Sequence, residues 1–71
     1  MEIKWTNCAE ELPRNDMNDV IINDGINNYI FPAYMLHISW MFNTIVRLQH
    51  KWTYYSDEKW RELHEQNSQK E

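Results

Sequence analysis

The chain has 71 residues, a formal net charge of −4 and a single cysteine, Cys8. This length predicts one domain, and the lone cysteine excludes a disulfide within the chain. No run of Lys and Arg is present, so the composition argues against direct binding of DNA or RNA. The first residues have no basic segment followed by an apolar one, so a cytoplasmic protein without a signal peptide is expected.

A β-hairpin is the first predicted element. Two runs rich in β-branched and aromatic residues, 19–23 and 26–31, flank Asp24-Gly25. Asp-Gly between such runs is typical of a two-residue type I′ turn, which needs a positive φ at both central residues. This register places Val20 opposite Tyr29. Four side chains then share one face of the hairpin: Val20, Ile22, Tyr29 and Phe31.

A long helix is predicted next, from about Pro32 to about Lys51. Proline suits the first position of a helix, where its missing N–H costs nothing. Apolar residues then recur at intervals of three and four, which is typical of one helix face. These residues are Tyr34, Ile38, Met41, Ile45, Leu48 and Trp52. Alternating apolar residues between 46 and 54 leave a strand as the alternative for the end of this helix.

A short C-terminal helix is predicted from Asp57 to about Gln66. Ser56 is a good N-cap, and acidic residues occupy the first turn, where the helix dipole favours them. Together these elements predict an α+β domain over residues 1–66. Its N-terminal hairpin or small antiparallel sheet packs on one long and one short helix, and residues 67–71 are expected to fray.

The stretch from Ile26 to Val46 carries no formal charge, and three interpretations are open for it. A membrane span needs roughly 20 largely apolar residues, but polar side chains within the stretch, such as His37 and Asn43, disfavour one. A buried helix explains the regular apolar face. It leaves apolar residues on other helix faces uncovered, and exposed apolar patches usually mark interaction sites. We therefore expect part of the helix to contact a second chain, either a copy of itself or a target protein.

The candidate contact residues are mostly aromatic and lie on the long helix and in the segment after it. Trp, Tyr and Arg are enriched among the residues that dominate binding energy in protein interfaces. Tyr54 and Tyr55 are adjacent, so only one of them points inward in an extended chain. The predicted partner-binding residues are Trp40, Phe42, Tyr54, Tyr55, Trp60 and Arg61. The alternative for the tryptophans of this segment, Trp52 and Trp60, is that they fill the core.

No catalytic, metal or cofactor site is expected. The soft-metal ligand types are Cys8, His37, His50 and His64, and no pair of them has the close spacing of a zinc site. His37 and His50 lie thirteen residues apart on the predicted helix, about 20 Å along its axis. A single glycine, Gly25, builds neither a phosphate-binding loop nor a dinucleotide fingerprint. The sequence therefore favours a binding protein over an enzyme.

The N-terminal half resembles a small domain family of unknown function that is common in phages and prophages. The resemblance rests on Trp5, on Glu11-Leu12-Pro13, on the strand and turn at 20–25, and on Trp60 and Leu63 near the end. The central helix departs from the family's more strand-rich pattern. The resemblance implies a phage-like origin. Small phage inhibitors of similar size and aromatic content, including anti-CRISPR and other anti-defence proteins, generally act by docking on a host complex.

These observations favour a non-enzymatic, phage-derived protein that binds and inhibits a host protein or defence complex. Residues 1–31 contain two basic and six acidic residues. The negative charge of the N-terminal half is therefore expected to steer the chain toward a basic surface on the partner, such as a nucleic-acid-binding groove. Two other functions remain open: an oligomer that sequesters nucleotides by aromatic stacking, and a single-span membrane protein.

Overall fold

The computed structural model describes residues 2–69, which form a four-stranded sheet, a 3₁₀ helix and two α-helices. The strands are β1 (Thr6–Asn7), β2 (Asp19–Asn23), β3 (Asn28–Pro32) and β4 (Lys51–Tyr54). The 3₁₀ helix covers Ala33–His37, α1 covers Ser39–Arg47 and α2 covers Asp57–Gln69. The predicted α+β class is confirmed.

β4 lies inside the sheet, although it is the last strand in the sequence. The strand order is β1-β4-β2-β3, and every neighbouring pair is antiparallel. β4 therefore pairs with β1 on one side and with β2 on the other, so both rows of its backbone groups have partners. β3 forms one edge of the sheet, and the two-residue β1 forms the other.

The hairpin of β2 and β3 is present, but its predicted turn is wrong. Val20 lies opposite Phe31 rather than Tyr29. Only Gly25 has a positive φ in the turn, +98°, so a type I′ turn is not formed. Instead, the Asp24 carboxylate accepts hydrogen bonds from the backbone N–H groups two and three residues further on, and these close a longer loop. The register moved by two residues, so the predicted side chains still share one face.

The predicted single helix from Pro32 to Lys51 is also wrong. Ile38 has an extended backbone, with φ −76° and ψ 134°, which separates the 3₁₀ helix from α1. α1 then ends at Arg47, and β4 follows, as the strand alternative predicted for this end. Three of the six apolar positions behind the prediction are buried (Met41, Ile45, Trp52), and three are exposed (Tyr34, Ile38, Leu48). The helix gives way to a strand because β4 pairs with backbone groups of β1 and β2. Those groups would lack partners if the helix continued to Lys51.

α1 ends in a Schellman motif around Gln49. The His50 N–H donates to the Ile45 carbonyl at 2.9 Å, and the Gln49 N–H donates to the Val46 carbonyl at 3.2 Å. These two hydrogen bonds define the motif, whose left-handed position is usually glycine. Here Gln49 occupies it, with φ 53°. The left-handed conformation costs a residue with a Cβ roughly 1–2 kcal/mol.

Replacing Gln49 with glycine is expected to raise the free energy of unfolding by about 0.5–1 kcal/mol. Glycine removes the left-handed strain, but part of this gain is offset because a glycine loses more backbone entropy on folding. The matched control is Leu48→Gly. Leu48 has φ −87°, so glycine relieves nothing there and should lower stability. Urea denaturation of both variants checks the prediction, and a destabilised Gln49→Gly variant would contradict it.

One face of the sheet packs against the 3₁₀ helix and α1. Ala33 and Leu36 are buried three residues apart, as a 3₁₀ helix requires. Met41 and Ile45 are buried four residues apart, as an α-helix requires. The buried cluster contains Cys8, Val20, Ile22, Ala33, Leu36, Met41, Ile45 and Trp52. This face therefore holds the main core.

α2 begins over the opposite face. Ile21 and Thr53 are cross-strand partners on this face, and both are buried. The Lys59 ammonium donates to the Thr53 hydroxyl at 3.0 Å and to the Tyr54 carbonyl at 2.9 Å, and Leu63, one turn later, is also buried. α2 runs to Gln69, three residues beyond its predicted end. The last two residues of the predicted frayed tail lie outside the described residues.

Candidate protein-binding surface

The outer edge of β3 is an uncharged strand edge with exposed apolar side chains. Among the described residues, no strand lies beyond β3. Tyr29 and Ile30 are exposed, at 42% and 40%, and Phe31 is half-buried. Natural proteins usually protect such edges with charged side chains, proline or very short strands. Here the protection is Pro32 alone, at the end of the strand.

A groove lies between β3 and α1. Its volume is about 140 Å³, whereas pockets for small molecules typically measure ~300–1,000 Å³. The groove is thus the size for one large side chain of a partner rather than for a cofactor. We name it the edge groove, and its lining residues are Ile22, Tyr29, Phe31, Met41, Thr44, Ile45 and His50.

Trp40 stands beside the edge groove. It lies one turn before Thr44, and the Thr44 hydroxyl donates to the Trp40 carbonyl at 2.9 Å. Residues four apart lie on the same side of a helix, so Trp40 is on the side of α1 that lines the groove. Its side chain is 64% exposed. An indole beside an apolar groove is the kind of residue that dominates binding energy in protein interfaces.

The Asp24 carboxylate lies at the hairpin end of this surface. Its pKa is lowered, mainly by the hydrogen bonds from the backbone N–H groups of Asn27 and Ile26, and further by one from the Tyr29 hydroxyl at 3.3 Å. Asp24 therefore stays ionised at neutral pH. Because Tyr29 also lines the edge groove, one end of the groove carries a fixed negative charge.

Comparison of the chain with protein-family models, with curated proteins and with solved structures gives no match.

The six predicted contact residues do not form one surface. Trp40 and Phe42 are both exposed, but they lie about 200° apart around α1, on opposite flanks. Tyr54 packs edge-on against Trp52, with ring centroids 5.1 Å apart, and its hydroxyl accepts a hydrogen bond from the Arg14 N–H. By helical position, Trp40 neighbours the lining residue Thr44 and Phe42 neighbours the lining residue Ile45, and Trp40 is the more exposed of the two.

The remaining three predicted contact residues belong to the α2 side of the sheet. Tyr55 and Trp60 are half-buried, with ring centroids 6.5 Å apart, and Trp60 lies 4.7 Å from His64. Arg61 is exposed. Trp52 is buried in the core, as its alternative predicted, whereas Trp60 is not. Trp60 therefore packs against the rings of both Tyr55 and His64.

Sequence reasoning missed β3 as part of the surface. The sequence places Tyr29 and Phe31 on one face of the hairpin with Val20 and Ile22, and it does not predict that Ile30 is exposed. The signal that could have found them is Pro32 at the end of an uncharged strand-like segment, because proline within a sheet is confined to edges, strand starts and bulges. The strand order decides whether a strand lies at the edge of the sheet, and this segment of sequence does not contain the strand order.

Cys8 is a buried thiol in the core cluster, 3% exposed. Burial raises its pKa to about 11, against a weaker lowering by a backbone hydrogen bond. Reactive cysteines have the opposite property, a lowered pKa at a partly exposed site. Over residues 2–69, no group of three His, Cys, Asp or Glu side chains is arranged to hold a metal ion. Within the same part of the chain, no helix is long and apolar enough to cross a membrane.

Proposed function

We propose that this chain is a non-catalytic binding protein that docks on a host protein or defence complex and inhibits it. The observation that carries the proposal is the exposed indole of Trp40, one turn along α1 from Thr44, which lines the edge groove. An apolar side chain of the partner enters the groove, and Trp40 covers it. The inhibitory role and the phage-like origin rest on the resemblance of the N-terminal half to phage proteins.

The charge at the groove favours a partner with a basic residue beside its apolar anchor. Asp24 is ionised at one end, and the chain as a whole carries −4. Opposite charges across an interface speed association and select the partner. Salt screens exposed charges over about 8–10 Å, so binding to the host protein should weaken as the salt concentration rises.

The test is capture from a bacterial lysate with the affinity-tagged chain, followed by titration of the captured protein against variants. Trp40→Ala is expected to weaken binding by roughly 30-fold or more, because truncating a dominant interface tryptophan costs at least ~2 kcal/mol. The captured protein should also lose its own activity when the unmodified chain is added. Circular dichroism should show an unchanged fold, since Trp40 is exposed.

The matched control is Trp60→Ala, a tryptophan on the other side of the sheet. It should leave the affinity unchanged if the edge groove is the docking surface. If a captured protein binds the Trp40→Ala variant as tightly as the unmodified chain, the edge groove with Trp40 is not the docking surface. A captured protein that keeps full activity in the complex would overturn the inhibitory role.

A further inference from the structure

We propose that β3 pairs antiparallel with β3 of a second copy of this chain, about a two-fold axis at Ile30. The two sheets then join into one continuous sheet of eight strands. This inference concerns the backbone edge of β3, whereas the proposed function concerns Trp40 and the edge groove. Tyr29 and Phe31, which line the groove, take part in both.

The backbone of β3 shows which groups are free to pair. The Ala33 N–H donates to the Asn18 carbonyl at 2.7 Å, and the Asp24 N–H donates to the Asn27 carbonyl at 3.2 Å. Hydrogen-bonded and non-hydrogen-bonded pairs alternate along an antiparallel ladder, and the register pairs Ile21 with Ile30. The odd-numbered residues of β3 therefore direct their backbone groups at β2. Asn28 and Ile30 direct theirs at the free edge.

A two-fold axis at Ile30 uses these free groups. Ile30 and Ile30 of the partner subunit exchange two N–H···O=C hydrogen bonds, because each has both groups directed outward. Pro32 has no N–H, and its carbonyl accepts the first hydrogen bond of the 3₁₀ helix, so the ladder consists of the two bonds at Ile30. A shift that pairs Ile30 with Pro32 of the partner subunit would lose bonds, because Pro32 has no N–H. A shift the other way would place Phe31 opposite Asn27 of the partner subunit instead of Tyr29.

The side chains of β3 are also self-complementary about Ile30. Tyr29 lies opposite Phe31 of the partner subunit on the face that carries α1, and the same pair recurs on the other side of the axis. Aromatic cross-strand pairs of this kind stabilise sheets. Ile30 meets the partner's Ile30 on the opposite face, where α2 leaves it 40% exposed.

The same features favour a second copy over an unrelated strand. β3 carries no charged side chain, so nothing on the strand selects a charged partner peptide. A domain of this size buries only ~60% of its chain surface and gains from self-association. The other sheet edge, β1, has two residues, which is too short to compete.

The test is light scattering after size exclusion, with the pure full chain loaded at about 5 to 500 µM, since one strand pair buries less than the ~800 Å² per partner of a standard interface and predicts moderate affinity. The mass should rise to twice the 8.8 kDa of one chain. Ile30→Pro should raise the dimer dissociation constant by roughly 30-fold or more, because it removes the central donor of each copy. It spares the ladder to β2, since the Ile30 N–H is directed outward.

Two further variants keep the result interpretable. Ile30→Lys should also give monomers, because like charges directly opposite each other destabilise a pair, and Ile30→Val should remain dimeric. Circular dichroism establishes that each variant is folded. Both copies are acidic, so salt should strengthen the dimer, opposite to its effect on the host complex. A monomeric unmodified chain at the highest concentration, or a dimer unchanged in the folded Ile30→Pro and Ile30→Lys variants, would overturn the proposal.

Discussion

Replacing Trp52 with alanine is expected to lower the free energy of unfolding by about 3–5 kcal/mol. Trp52 lies on the inner strand β4, is 6% exposed and belongs to the core cluster. Its indole N–H donates to the Glu11 carbonyl at 2.8 Å, which ties the segment before β2 to the sheet. At ~0.05–0.15 kcal/mol per residue, a domain of this size has a total stability of roughly 4–10 kcal/mol. The variant should therefore be largely unfolded near physiological temperature.

Urea denaturation followed by circular dichroism measures this loss. The matched control is Trp52→Phe, which keeps most of the apolar ring but removes the N–H donor. It should cost less than the alanine variant, since the Glu11 carbonyl loses its partner but most of the packing remains. Trp40→Ala should change stability by less than about 0.5 kcal/mol, as expected for an exposed site. A Trp52→Ala variant as stable as the unmodified chain would contradict the packing of this core.

Stability is expected to fall by about 2 kcal/mol between pH 9 and pH 11, because the Cys8 thiol ionises more readily in the unfolded chain than in the folded one. Its pKa is about 11 in the folded chain, against an ordinary value of 9.0, because burial penalises the thiolate. Folding therefore favours the neutral thiol. This contribution is fully present below pH 9 and is lost as the pH rises through the folded pKa of about 11.

The measurement is the unfolding free energy from urea titrations at several pH values from about 8 to 11. Other groups also titrate in this range, and the pKa of Tyr55 is raised by its hydrogen bond to Asp57. The comparison with Cys8→Ala isolates the thiol, because the variant keeps every other titrating group. Its stability should depend less steeply on pH. Equal slopes for the two chains would contradict a buried, neutral thiol.

The hairpin shows how much of the fold was readable from sequence. The β-branched run of β2 and the position of the turn were predicted correctly, and Val20 and Ile22 are buried on the predicted face. The register was wrong because it depended on the turn type, and the Asp24 side chain supports a longer loop. The buried face survived this error because side chains alternate with a period of two.

The long helix shows where local pattern failed. Spacings of three and four predicted one helix across residues 32–51, but the same residues form a 3₁₀ helix, α1 and the start of β4. Three of the six regularly spaced residues are exposed, and apolar spacing does not show which backbone groups need partners elsewhere in the chain. For the candidate site, Trp40 was predicted from residue type alone. Its neighbours on β3 were not, because their exposure depends on the strand order.

The sequence by itself determined the α+β class, the β-branched runs, the helix start at Asp57 and the absence of charge from Ile26 to Val46. Only the tertiary structure decided that residues 51–54 enter the sheet between β1 and β2, and that β3 is left at the edge. The reason is that strand pairing joins residues far apart in the chain. Which backbone groups remain unpaired is therefore a property of the assembled sheet and not of any local segment.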